Sequence, residues 1–136
     1  MNINMLQVHK HLPEILILLF LAITFMQSAL DKIFDWSGNR DYFQDHFSKA
    51  IASSGFITFL LFVVTALELV SGIYSVLGLV GLIFYDSSVW ALTGTVLSSV
   101  TLLFLLLGQR IAKDYAGALT IVCYFIVAVF GVFLLT

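Results

Sequence analysis

The chain has 136 residues, of which 61% are hydrophobic and only 10% charged, with a mean hydropathy of +1.09. A soluble domain carries roughly 25% charged residues, so this chain lacks the side chains to cover a water-exposed surface, and its length sets one domain, 1–136, embedded in a membrane. A net charge of −2 without a basic cluster excludes nucleic acid as a partner, and a single cysteine, Cys123, excludes an intrachain disulfide, a CxxC redox pair and a cysteine-held iron–sulfur cluster.

Residues 1–11, with Gln7, His9, Lys10 and His11, read as an interfacial lead-in. His9 and His11 stand two apart, a poor metal-ligand spacing on a helix. Pro13 suits a first helical turn, where its missing N–H costs nothing. The apolar run that follows is long for a signal sequence. It also lacks a small-x-small cleavage site, since Gln27 holds the −3 place if Ala29 is −1. It is therefore expected to stay as a first membrane span over 12–34. Its polar residues Thr24, Gln27, Ser28 and Asp31 gather late and on one side, followed by Lys32.

Next comes NRDYFQDHFSKAIAS, in which Tyr42, Phe43, His46, Phe47, Ala50 and Ile51 share one helical face. Arg40, Asp41, Gln44, Asp45, Ser48 and Lys49 form the other face. With Asn39 as its cap, this stretch predicts a short amphipathic helix over 39–53, lying in the membrane interface with aromatics down. The competing reading makes Trp36, Tyr42, Phe43 and Phe47 a docking surface for a partner subunit.

A second span is expected over 57–80, with Gly78 and Gly81 loosening its end. Thr65, Glu68, Gly72 and Ser75 recur at spacings of three and four and share one face. An acid at the bilayer centre costs roughly 2.5–3.5 kcal/mol on insertion scales, so Glu68 is expected to face a bundle interior rather than lipid. Two readings stand side by side. Glu68 is either a hydrogen-bonded acid in a packing seam, or a working acid in a proton, quinone or ligand site. A third span over 89–107 carries Gly94, Ser98 and Thr101, and these small residues, with Gly72, are candidates for close helix packing within the bundle or against another protein. A fourth span covers 116–135. The expected fold is an all-α membrane protein: an up-down bundle of four transmembrane helices, with the interfacial helix between the first two.

Depth follows from about 1.5 Å of rise per residue. Measured from the side of the first and third connections, Gln27 lies about 10 Å deep and Glu68 about 12–18 Å. Ser98 and Ser99 come at about 12–15 Å and Tyr124 at about 11–12 Å. Gln27, Ser98, Ser99 and Tyr124 are therefore candidate donors to Glu68, and Lys32 is a candidate ion-pair partner if its stem snorkels inward. Five of the six Lys and Arg residues, Lys32, Arg40, Lys49, Arg110 and Lys113, lie on that same side. The charge rule makes that side cytoplasmic.

The segment QSALDKIFDW resembles the G-x-x-K segment of the DoxX-like (and related MauE-like) membrane proteins, and ALELVSGIYSVLG resembles their second-helix motif of an acid followed by small residues and a glycine. Lys32 matches the motif lysine, Glu68 the acid and Gly72 the glycine, while Ala29 stands where glycine is usual. The resemblance implies a bacterial inner-membrane protein associated with redox or respiratory enzymes, and termini on the inside, opposite to the charge count.

No catalytic residue is expected. His9, His11 and His46 all lie outside the spans, so no metal or haem site is expected either, and no nucleotide motif or catalytic triad is present. The first expectation is an accessory subunit of a larger membrane complex, without a cofactor of its own and surrounded by lipid and other subunits. The second is a quinone- or proton-handling subunit using Glu68. The third is a small oligomeric transporter or channel.

Overall fold

The computed structural model describes residues 2–136. Six helices follow one another: α1 (Ile3–Lys10), α2 (Leu12–Phe34), α3 (Trp36–Phe47), α4 (Ser54–Phe84), α5 (Val89–Ile111) and α6 (Tyr115–Leu135). Among the described residues, α2, α4, α5 and α6 are long and apolar enough to cross a membrane. The chain is an all-α, multi-pass integral membrane protein.

Local chemistry sets the boundaries, and several differ from the sequence expectation. Residues 3–10, expected only as a lead-in, form a helix whose cap Asn2 accepts from the Asn4 N–H. The interfacial helix starts three residues before 39, because the Asp35 carboxylate accepts from the Gly38 N–H and provides an earlier cap. Asn39 instead donates its amide to the Asp35 carbonyl, at 2.9 Å. The helix also stops at Phe47, where the Ala50 and Ile51 N–H groups both turn back onto the Phe47 carbonyl.

Helix α4 outruns 57–80 at both ends. Ser53 caps its start by accepting from the Phe56 N–H. Gly78 and Gly81 do not loosen its end, because they serve packing. A Cβ on Gly78 would lie 2.7 Å from the Ala91 Cα, so α4 and α5 nearly touch there. At 31 residues α4 is about 46 Å long against about 30 Å of hydrocarbon, so it tilts or projects. Helix α5 continues to Ile111, past Gly108, and closes in a Schellman turn. The Asp114 N–H bonds to the Gln109 carbonyl and the Lys113 N–H to the Arg110 carbonyl. Lys113 holds the left-handed position of that turn, φ 60°, where glycine is usual and any other L-residue costs about 1–2 kcal/mol.

Helix α4 is the spine, packed along α2 on one side and α5 on the other, with α6 against α5. Small polar side chains gather along the α4–α5 seam inside the bundle. Thr65, Glu68, Ser71, Gly72 and Ser75 on α4 are buried, as are Thr95, Ser98 and Thr101 on α5, and Ser71 bonds Thr101 across the seam at 2.9 Å. Phe59, Phe62 and Phe133 point outward, which fits lipid. Two apolar layers complete the centre: Ile15, Leu18, Leu82 and Ala91 near the α1 end, then Leu21, Phe25, Leu102 and Ala128. Helix α1 and the α4–α5 turn share one end of the bundle, joined by Lys10 and His11 to Asp86. Helix α3 and the α5–α6 turn share the other, where His46 bonds Gln109 in the last turn of α5 at 2.9 Å and lies 3.6 Å from Asp114 of the turn.

Candidate functional site: a cavity under the interfacial helix

Helix α2 presents Thr24, Ser28 and Lys32 at spacings of four, so the three stack along one face. That face meets Glu68 on α4. Lys32 Nζ lies 3.0 Å from Glu68 Oε2, with side-chain exposures of 12% and 4%. The Ser28 hydroxyl donates to the same oxygen at 3.1 Å and accepts from Lys32 Nζ at 2.8 Å. A closed triangle of amine, hydroxyl and carboxylate results. Each member satisfies another, which is the condition for holding charge in a low-dielectric interior.

The triangle borders a cavity of about 200 Å³. Thr24, Ser28 and Lys32 line it from α2, Glu68 from α4, Gln109 from α5 and Tyr124 from α6. Phe43 of α3 roofs it, and Phe25 and Leu102 of the inner apolar layer floor it. Helices α2 and α6 meet nearer the α1 end, where Ile17 packs on Gly131 and the Phe20 ring stands edge-on to Tyr124. Beyond Tyr124 the cavity takes the place of that contact. Among the described residues, Glu68 Oε1, the Thr24 hydroxyl and the Tyr124 hydroxyl take no protein hydrogen bond, although all three residues line the cavity.

The expected partners of Glu68 divide. Lys32 reaches it. Tyr124 shares the cavity without bonding to Glu68. Gln27 does not arrive: it is exposed on the outer face, because Ser28, one residue and about 100° further round the helix, takes the inward place. Ser99 bonds back to the Thr95 carbonyl at 2.8 Å. Ser98 is fully buried and its Oγ has no partner. Ser28, Thr24 and Gln109 were missed as cavity residues, and counting back from Lys32 in steps of four would have found the first two.

The packing and docking residues also have definite places. A Cβ on Gly72 would sit 2.6 Å from Met26 Sδ, and one on Gly94 would sit 2.9 Å from the Tyr74 carbonyl carbon. Gly94, Ser98 and Thr101 are buried within this chain, so that stripe is not free to pair with another protein. Phe43 and Phe47 turn toward the bundle instead of outward to a partner, the Phe47 ring lying 3.6 Å from the position of a Cβ on Gly108. Trp36 is half-buried, and Tyr42 is exposed, stacked on His46 with ring centroids 5.3 Å apart. Among the described residues no three His, Cys, Asp or Glu side chains stand together in a metal-holding group.

Compared with protein-family models, curated protein sequences and solved structures, the chain matches none of them.

Proposed function

We propose that this chain is a membrane-embedded binding protein, without catalytic residues or a cofactor of its own, whose cavity takes the polar head of a small amphiphile drawn from the bilayer. The observation that carries this reading is the set of unpaired polar groups in the cavity. Glu68 gives Oε2 to Lys32 and Ser28 and keeps Oε1 without a protein partner, beside the Thr24 and Tyr124 hydroxyls. In a bilayer, polar groups that open onto a cavity without a protein partner are costly unless water or a ligand head group binds there.

The size limits the ligand. About 200 Å³ is below the roughly 300–1,000 Å³ of sites that enclose a drug-sized molecule. A head with one ring fits, with its tail left in lipid between α2 and α6. A quinone or hydroquinone head matches the donors and acceptors: its carbonyl oxygen accepts from Tyr124 or Thr24, and a hydroquinone O–H donates to Glu68 Oε1.

Membership of a larger respiratory or redox complex in a bacterial inner membrane, and kinship with the DoxX-like proteins, are supported by the Lys32 and Glu68–Gly72 motifs alone. A binding subunit of such a complex is consistent with both the motifs and the cavity. A monomeric channel is the least supported reading, because Leu21, Phe25, Leu102 and Ala128 pack as an apolar layer beyond the cavity.

The test is to purify the chain from its native membrane, extract what it retains and identify it by mass. One amphiphile per chain, lost from a Thr24→Phe variant that fills the cavity, supports the proposal. Equal retention by the two proteins sinks it.

A further inference from the structure

We infer that the α3 end of the bundle carries a separate site for an anionic phospholipid, with one acyl chain in a groove between α4 and α5 and the phosphate beside Lys49 and Lys113. Two adjoining hollows make this site. The lower is a groove of about 210 Å³ with almost wholly apolar walls, among them Phe47, Phe59, Val63, Leu107 and Ile111. The upper is a wider hollow of mixed polar and apolar lining that shares Ile111 with the groove and is rimmed by Lys49, Lys113 and Ser48. An apolar slot capped by a lysine-rimmed shelf at the level of an interfacial helix has the layout of a phospholipid.

Charge selects the kind of lipid. Lys49 and Lys113 are both exposed, and among the described residues neither takes part in an ion pair. Asp45 also borders the hollow and opposes an anion, and His46 there is turned to Gln109 and to Asp114, 3.6 Å away. Among the residues that line the hollow, two lysines against Asp45 give a net positive charge, while Asp114 lies outside that lining and accepts from the Gly117 N–H. Lys113 occupies the glycine-favoured position of the Schellman turn, so its side chain is present at a backbone cost that glycine would avoid. Leaving out Lys32, which is buried against Glu68, the same end carries four of the other five Lys and Arg residues, and the charge rule favours the cytoplasmic leaflet for it, where anionic lipids are enriched.

The site is tested by native mass spectrometry of the full chain in detergent, titrated with phosphatidylglycerol and phosphatidylcholine of matched chains. Wild type is expected to hold phosphatidylglycerol about tenfold more tightly. Lys49→Gln/Lys113→Gly is expected to equalise the two lipids without lowering the melting temperature, since glycine suits the turn. Lys49→Arg/Lys113→Arg is expected to keep the preference, and Val63→Phe to weaken both lipids together by blocking the groove. Equal affinity in wild type, or a preference that survives Lys49→Gln/Lys113→Gly, overturns the inference. Displacement of phosphatidylglycerol by inorganic phosphate at equal concentration also overturns it, because it reveals an ion site and not a lipid site.

Discussion

The Lys32 amine and the Glu68 carboxylate lie 3.0 Å apart inside the bundle, with the Ser28 hydroxyl bonded to both. They come from different spanning helices, so the pair pins α2 to α4 at one depth and one rotation. Removing one partner leaves the other buried without compensation, which typically costs more than replacing both with apolar groups. Lys32→Met is therefore expected to lose on the order of 3 kcal/mol of stability. Lys32→Met/Glu68→Leu is expected to recover most of that loss. Thermal unfolding in one detergent measures both, and a double variant as unstable as Lys32→Met contradicts the pairing.

The glycines predict a ranking. A methyl group on Gly94 meets the Tyr74 and Ser75 backbone at 2.9–3.0 Å, which yields only if α4 and α5 separate. A methyl on Gly72 meets Met26 Sδ and Cγ at 2.6–2.8 Å, which can turn aside, and the Met26 backbone N at 3.1 Å. Nothing lies within 4 Å of Gly55. Gly94→Ala should cost about 1–3 kcal/mol, Gly72→Ala less, and Gly55→Ala nothing or a slight gain. Melting temperatures in the reverse order refute the packing described for α4.

Helix α1 gives a pH prediction at the opposite end. His11 and Lys10 hydrogen-bond to Asp86 and hold its carboxyl below the usual carboxylate range. A carboxylate depressed in the folded state contributes fully above its unfolded value, about 4, and the contribution fades as pH falls through the lower folded value. Protection of the α1 amides, corrected for intrinsic exchange rates, should hold from neutral pH down to about 4 and decline below it. Asp86→Asn, which tolerates the left-handed backbone at φ 46°, should remove that protection at neutral pH as well. Unchanged protection in the variant means that α1 is held by its apolar side chains alone.

The four spans were legible because apolar run length is a local property, and the wide placement of Glu68 inside the bundle followed from the cost of the alternative. Rotation was not legible. Gln27 and Ser28 differ by one residue and almost equal depth, yet one faces outward and the other bonds Glu68. Depth along a helix comes from counting, whereas its facing is decided by every neighbour at once. Gly78 and Gly81 misled for a related reason: glycine weakens a lone helix, but here it lets Ala91 approach closely enough to prolong one. A short helix follows the first span as expected, and its Phe43 and Phe47 cover the bundle wall beside Phe104 and Gly108.

The central claim is that the cavity beside Lys32 and Glu68 holds a polar head group. Calorimetric titration of the detergent-solubilised chain with a short-tailed ubiquinone analogue tests it most directly. Saturable one-site binding, weakened at least about tenfold (1.4 kcal/mol) by Thr24→Phe and also reduced by Glu68→Gln, is the predicted result. Absence of saturable binding, or an affinity that Thr24→Phe leaves unchanged, contradicts it.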